Sequence, residues 1–116
     1  MKLKQIDLFF RAFGDETRLR ILNLLIQRKE LCVCELIEVL KIGQSKISRH
    51  LAYLKNAGLI LDRKAGLWNY YLLKKPNDSS HKKLLDCLRQ FIEDVPALKK
   101  DAAALKKYSK NPAKCR

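Results

Sequence analysis

Residues 44–60 read Gln44-Ser45-Lys46-Ile47-Ser48-Arg49-His50-Leu51-Ala52-Tyr53-Leu54-Lys55-Asn56-Ala57-Gly58-Leu59-Ile60. At about 100° per residue, Ile47, Leu51 and Leu54 share one side of a helix, while Ser45, Ser48, Arg49 and Ala52 fall on the other. One face is fit for a core, and the other presents short polar groups and a guanidinium. The pattern predicts a helix over 44–57, with Gly58 where a left-handed C-terminal residue is favoured.

Upstream, residues 32–40 predict a shorter helix. Cys32 takes its N-cap and Glu35 its third position, in the manner of a capping box, although sulfur is a poor stand-in for a serine or threonine hydroxyl. Lys41 to Gly43 leave only a tight turn between the two helices. Downstream the period changes to two, and residues 59–64 and 67–73 predict a hairpin turning near Ala65-Gly66. Two helices joined by a short turn and followed by a hairpin describe a winged helix-turn-helix.

Further out, Leu3, Ile6, Phe9, Phe10 and Phe13 have helical spacing, ended by Gly14. Asp15 is placed to cap a second helix, whose broad apolar surface (Leu19, Ile21, Leu22, Leu24, Leu25, Ile26) suits a central position. Pro76 to Ser80 read as a loop, and residues 81–95 as a helix with near-heptad spacing. Pro96 permits a fresh helical start with a weaker stripe of Leu98, Ala102 and Leu105. The expected organisation is a DNA-binding and dimerisation unit over 1–95, followed by a basic helix and mobile tail over 96–116. The fold class is mainly α with a small β-hairpin.

The chain has 116 residues, 25 of them basic and 12 acidic, for a net charge of +13. That excess favours a polyanionic partner. No apolar run approaches the roughly 20 residues that span a bilayer, and residues 1–7 do not read as a secretion signal, so a membrane role is not expected and a cytoplasmic location is. In a reducing compartment the four cysteines are expected as thiols. No strand-helix-strand pattern, phosphate-binding glycine loop or nucleophile–base set supports an enzyme, and no organic cofactor is implied. The expected partner is double-stranded DNA. Arg49 is suited to a guanine edge or a phosphate, with Gln44, Ser45, Lys46 and Ser48 beside it; Arg63 and Lys64 stand next to the hairpin turn. Trp68, Tyr70 and Tyr71 read as hairpin packing.

These segments carry a resemblance. Gly14-Asp15-Glu16-Thr17-Arg18-Leu19-Arg20-Ile21-Leu22, Gln44 to Leu51, Ala57-Gly58-Leu59-Ile60 and Tyr71-Leu72-Leu73 are together similar to the ArsR/SmtB family of bacterial repressors, over about residues 3–95. The resemblance implies a homodimer of five or so helices, joined through the first and last, that blocks transcription from an operator. Gly43 departs from the family by standing where a capping serine is common, a position glycine also tolerates.

Glu30-Leu31-Cys32-Val33-Cys34-Glu35-Leu36 resembles the metal-binding box of the arsenic-responsive members. The chemistry stands by itself: trivalent arsenic and antimony are soft centres that favour thiolates, as cadmium and lead do to varying degrees. A helix N-terminus is expected to stabilise a thiolate there. Residues two apart on a regular helix project about 200° from each other. Cys32 must therefore stand outside the helix, or the first turn must deform, for both sulfurs to meet one atom. Binding is expected to strain or unwind that turn and tilt the reading helix behind it. Where the arsenic box often has a third cysteine, this chain has Ile37. The third ligand then falls to Cys115, to Cys87 with less reason, or to solvent or an organic group such as a methylated arsenical carries. Sensing of another thiophilic metal or of thiol oxidation are the alternatives. Zinc is the weaker fit, because His50 and His81 lack partners at metal-site spacing, and His81 reads as a surface residue.

Overall fold

Asp15 and Asp78 each stop the preceding chain and start a helix. Asp15 accepts from the Arg18 N–H at 3.0 Å and Asp78 from the His81 N–H at 2.9 Å. The computed structural model describes residues 1–108. Its elements are α1 (Leu3–Phe13), α2 (Glu16–Gln27), β1 (Leu31–Cys32), α3 (Val33–Leu40), α4 (Gln44–Asn56), β2 (Ile60–Ala65), β3 (Trp68–Leu73), α5 (Ser79–Asp94) and α6 (Pro96–Tyr108). The mobile tail expected from Tyr108 onward lies outside the described residues except for Tyr108 itself, which ends α6.

The expected helix-turn-helix and hairpin are present. Lys41 ends α3 in the left-handed region (φ 58°), and Gly58, at φ 84°, lets the chain turn out of α4 into the hairpin. Gly66, at φ 63°, makes the hairpin turn, and Leu67 beside it is fully exposed instead of starting β3. One element was not foreseen. Leu31 and Cys32 form a two-residue strand that pairs antiparallel with β3, Leu31 opposite Tyr71 and Cys32 opposite Tyr70. The sheet therefore has three strands in the order β1-β3-β2. Two residues are too few to show a period of two, so the pattern had no signal to give. Helix α5 likewise begins two residues earlier than its apolar stripe suggests, because Asp78 and not the stripe sets its start.

The core gathers around α2, whose Ile21, Leu22 and Leu24 are wholly buried. Phe9 and Ala12 of α1, Leu36 of α3, Ile47, Leu51 and Leu54 of α4, Leu31 of β1 and Ile60 of β2 close on it. Helix α6 joins the same cluster through Leu105, and its basic side chains Lys99, Lys100, Lys106 and Lys107 stay exposed. Asp101, buried, is gripped by Arg20 of α2 through two bonds of 2.8 and 3.0 Å, and Asn23 donates to the Leu98 carbonyl at 3.1 Å. These bonds hold α6 across α2 and run its far end toward α3. No described helix is long and apolar enough to cross a membrane.

One histidine departs from its sequence reading as a surface residue. His81 is 1% exposed, with its ring edge-on to Phe9 at 4.8 Å, because α5 turns its first face inward behind the Asp78 cap. His50 is also buried. Burial pushes both imidazoles below their ordinary pKa. An unfolded chain protonates both as pH falls through about 6.5, while the fold keeps them neutral to lower pH. The unfolded state then binds more protons, so stability must fall with pH from about 6.5 downward until the folded histidines themselves titrate. Urea midpoints should drop between pH 7.5 and 5.5, and the drop should flatten in His50→Gln/His81→Gln.

Candidate functional site

Cys32 belongs to two elements at once. Its backbone is extended (φ −90°, ψ 165°), which pairs it with Tyr70, yet it is also the N-cap of α3. The capping box closes as expected: Glu35 Oε1 accepts from the Cys32 N–H at 3.1 Å, and the Glu35 N–H points back at the Cys32 sulfur. Arg28 steadies the same carboxylate at 3.3 Å. Cys34 is already in the first turn and is disulfide-bonded, so the expectation that every cysteine is a thiol does not hold for it. Because one cysteine is extended and the other helical, the 200° opposition of a regular helix does not arise, and the two sulfurs lie 2.9 Å apart. The first turn of α3 is regular; no unwinding is needed to bring the sulfurs together.

The helix N-terminus does not leave Cys32 with a lowered pKa. Burial is the largest influence and raises it; the Glu35 N–H comes next and lowers it, and the charge and side chain of Glu35 raise it further. Desolvation of the thiolate outweighs the dipole here because Leu31 and Leu36 around it are fully buried.

A cavity of about 270 Å³ opens beside the sulfurs, walled by Val33, Ile37, Gln44, Leu67, Trp68 and Asn69. It lies where the cysteine pair, the first residue of α4 and the hairpin tip converge. Tyr108 is the last described residue of α6. Its hydroxyl is pushed up by burial and by the negative charges of Glu35, Cys32 and Glu38. Among the described residues no three His, Cys, Asp or Glu side chains gather as a metal-binding group. Cys87 is exposed on α5, and Cys115 lies outside the described residues.

On α4 the two faces separate as the spacing requires. Ile47, Leu51 and Leu54 are wholly buried, and Gln44, Ser45, Lys46, Ser48 and Arg49 are exposed along the opposite side. Gly43, its N-cap, has open space around a would-be Cβ and leaves the first amides without a side-chain partner. Arg63 and Lys64 are both exposed on β2, but Arg63 is engaged within the fold. Its guanidinium forks onto Glu30 at 2.6 and 3.1 Å and lies 5.2 Å from the Tyr70 ring. Glu30, two residues before Cys32, was not singled out from the sequence. Nothing local connects it to Arg63, and only the β1–β3–β2 pairing brings the two together.

A second group positions the reading helix. Arg18 donates to the Ala12 and Arg11 carbonyls at 2.9 and 2.8 Å, closing the end of α1. The same guanidinium lies 4.0 Å over the Tyr53 ring and 3.4 Å from His50 Nδ1, which a neutral imidazole offers as acceptor. Asp15 stands 3.8 Å from that nitrogen. Arg18 thus ties α1 and α2 to the buried edge of α4.

A three-helix reader ending in a helix with an exposed polar face, followed by a hairpin wing, defines a winged helix-turn-helix DNA-binding regulator. Residues 15–61 match the family model described as "Bacterial regulatory protein, arsR family". The chain belongs to this ArsR family, whose members are DNA-binding transcriptional regulators and not enzymes. It is 50% identical over 64 residues to the arsenic resistance transcriptional regulator ArsR1 of Pseudomonas putida, covering 55% of this chain and 50% of that protein. It is 48% identical over 77 residues to the arsenical resistance operon repressor of Escherichia coli, 66% of each chain. The matched segment thus spans half to two thirds of the length of these two relatives. At lower identity, 36% over 66 residues (57% of this chain and 56% of that one), it is similar to the cadmium resistance regulatory protein CadC of Listeria innocua. Among solved structures, reduced HlyU of Vibrio cholerae superimposes with a TM-score of 0.65 at 32% identity, covering 76% of this chain and 88% of that one.

The raised Cys32 pKa has a direct readout. In fully reduced protein, the pH midpoint for Cys32 alkylation, followed by peptide mass spectrometry, should lie above that of an unfolded cysteine. Glu35→Gln removes the carboxylate that opposes the thiolate, so it should move the midpoint down.

Proposed function

We propose that this chain is a cytoplasmic transcriptional repressor. It holds double-stranded operator DNA as a homodimer and releases it when trivalent arsenic or antimony bonds Cys32 and Cys34. The observation that carries this reading is the 2.9 Å apposition of two sulfurs at the junction of the wing sheet and the helix-turn-helix. With Cys34, disulfide-bonded in the structure, reduced to its thiol, soft p-block centres favour such a pair over nitrogen or oxygen ligands. The arsenic-resistance names of the first two relatives described above support the same ligand class. The exposed apolar side chains Leu3 and Phe10 of α1 and Phe91 of α5 support a second copy against these helices.

The third bond to inorganic arsenite is assigned to Cys115. The described chain ends at Tyr108, beside Cys32, and Cys115 follows seven residues later. An extended chain of that length reaches up to about 24 Å, so the tail sulfur has the reach to close the site.

Release follows from the dual membership of Cys32. Bonds of about 2.3 Å, as in zinc thiolates, with angles near 100° would hold two sulfurs roughly 3.5 Å apart. The pair must therefore spread from its 2.9 Å separation when an ion enters. Spreading moves Cys32, paired with β3 of the wing, against Cys34, fixed in α3, and α3 leads through Lys41 to Gly43 into α4. Wing and reading helix would thus lose their relative setting. A hundredfold loss of operator affinity needs a coupling of about 3 kcal/mol, near the upper end of ordinary allosteric energies.

Gln44, Ser45, Lys46, Ser48 and Arg49 are the proposed DNA contacts on α4, with Arg63 and Lys64 on the wing. A cadmium-responsive reading has the CadC similarity behind it; parallel titrations of the reduced protein–operator complex with arsenite, antimonite and cadmium separate the two.

In such a titration Cys32→Ser and Cys34→Ser should each keep operator affinity and lose arsenite-driven release, read by fluorescence anisotropy. Normal release from either variant removes this reading. On the DNA side, Arg49→Ala should cost about 1–3 kcal/mol and change site preference. Arg63→Ala should lower the salt-dependence slope by less than the roughly 0.9 expected per phosphate contact, because Glu30 already holds its charge. Equal slopes for loss of either arginine would mean that Arg63 leaves Glu30 on the operator.

A further inference from the structure

We infer that Arg18 is a positioning residue for operator binding: it sets the reading helix α4 on the body of the protein through a latch onto His50 that acid releases. This rests on the DNA-binding reading of α4 given above and adds its control by protonation. The first observation is the reach of one guanidinium. Its Nε and Nη2 donate to the Ala12 and Arg11 carbonyls in the last turn of α1. Its Nη1 meets His50 Nδ1 at 3.4 Å, and its central carbon lies 4.0 Å from the centre of the Tyr53 ring. His50 and Tyr53 are three residues apart on α4, so they face Arg18 together. A lysine ammonium, a single point charge, cannot span this set.

The second observation is what stands beside His50. An arginine only donates, so the contact requires a neutral ring whose Nδ1 keeps its lone pair. The Asp15 carboxylate stands 3.8 Å from the same nitrogen and can only accept. One atom thus faces a donor and an acceptor, and its proton decides between them. Neutral, Nδ1 accepts from Arg18. Protonated, it repels the guanidinium and turns to Asp15 at the N-cap of α2. Burial raises the Asp15 carboxyl, but the Arg18 N–H, His50 and the Arg18 charge together lower it by more, so Asp15 is an anion wherever an imidazole titrates. Burial also opposes the imidazolium; Asp15 favours it, and Arg18, Arg49 and Lys46 oppose it. On α1, Arg11 acts on Tyr53 with its own guanidinium held by Asp7 at 3.0 Å. Arg49, a proposed DNA contact, adjoins His50 on α4, so a turn that carries His50 toward Asp15 turns Arg49 as well.

Acid should therefore weaken operator binding, whereas an imidazolium acting by charge alone would strengthen the hold on a polyanion. The probe is a duplex selected by the reduced full chain from a random-sequence pool at pH 7.5. Binding is read by fluorescence anisotropy from pH 7.5 to 5.0 at fixed ionic strength, with circular dichroism of the same samples giving the folded fraction. Wild-type affinity per folded chain should fall by about tenfold, the order expected when one proton competes with binding. Arg18→Lys keeps the charge and loses the fork; it should bind at pH 7.5 about as weakly as wild type at pH 5.0 and lose little more in acid. His50→Asn replaces the Nδ1 lone pair by a carbonyl that does not titrate, so it should lose the acid response relative to its own affinity at pH 7.5. Loss of packing alone would lower affinity at every pH and leave the profile in place. Wild-type binding that is unchanged or tighter at pH 5.0, or an acid loss that persists in either variant, overturns the latch and leaves α4 as the reader. The wild-type profile decides by its sign even where a variant folds poorly. A pool that returns no preferred duplex overturns the DNA-binding reading itself.

Discussion

The chain changes from extended to helical at Cys32, and most of the site depends on that change. An extended Cys32 stands opposite Tyr70 of β3 while its N–H goes to Glu35, and the next residue begins α3. That places the sulfurs of residues 32 and 34 side by side, which neither a continuous strand nor a continuous helix would do in the same way. It also makes one residue the shared end of the wing sheet and of the helix-turn-helix. Glu30, Glu35 and Arg28 reinforce the spot from three directions.

The same geometry sets the chemistry. Packing Cys32 against wholly buried leucines gives a defined sulfur position at the expense of acidity, so the thiol is less ready to ionise than its place at a helix start suggests. For a ligand that exchanges hydroxide for thiol with release of water, a protonated thiol is an acceptable resting form. Order in the first turn and burial of the sulfur favour selectivity for soft centres over the fast, indiscriminate reactivity of an exposed thiolate.

Charge on this molecule is divided between solvent and structure. The exposed face of α4 and the outer lysines of α6 keep their charges in water, where they act on a polyanion at a distance. Arg18, Arg20 and Arg63 are instead engaged within the fold: Arg18 closes α1 and supports α4, Arg20 holds Asp101 of α6, and Arg63, though exposed, pins the wing to Glu30.

Much of this was legible in the residues alone. The opposition of Ile47, Leu51 and Leu54 to Ser45, Ser48 and Arg49, the punctuation by Asp15, Gly43 and Gly58, and the Cys-x-Cys spacing are local patterns, and local geometry alone reads them correctly. The capping role of Cys32 followed from Glu35 three residues later. What stayed hidden was every relation between residues distant in sequence. The two-residue strand at Leu31 and Cys32 exists only because β3 is beside it, the Glu30–Arg63 pair only because the sheet aligns them, and the burial of His50 and His81 only because α2 and Phe9 cover them. Periodicity reports which face of an element is apolar; which element comes to cover that face, and which charges are then desolvated, is decided when the chain packs.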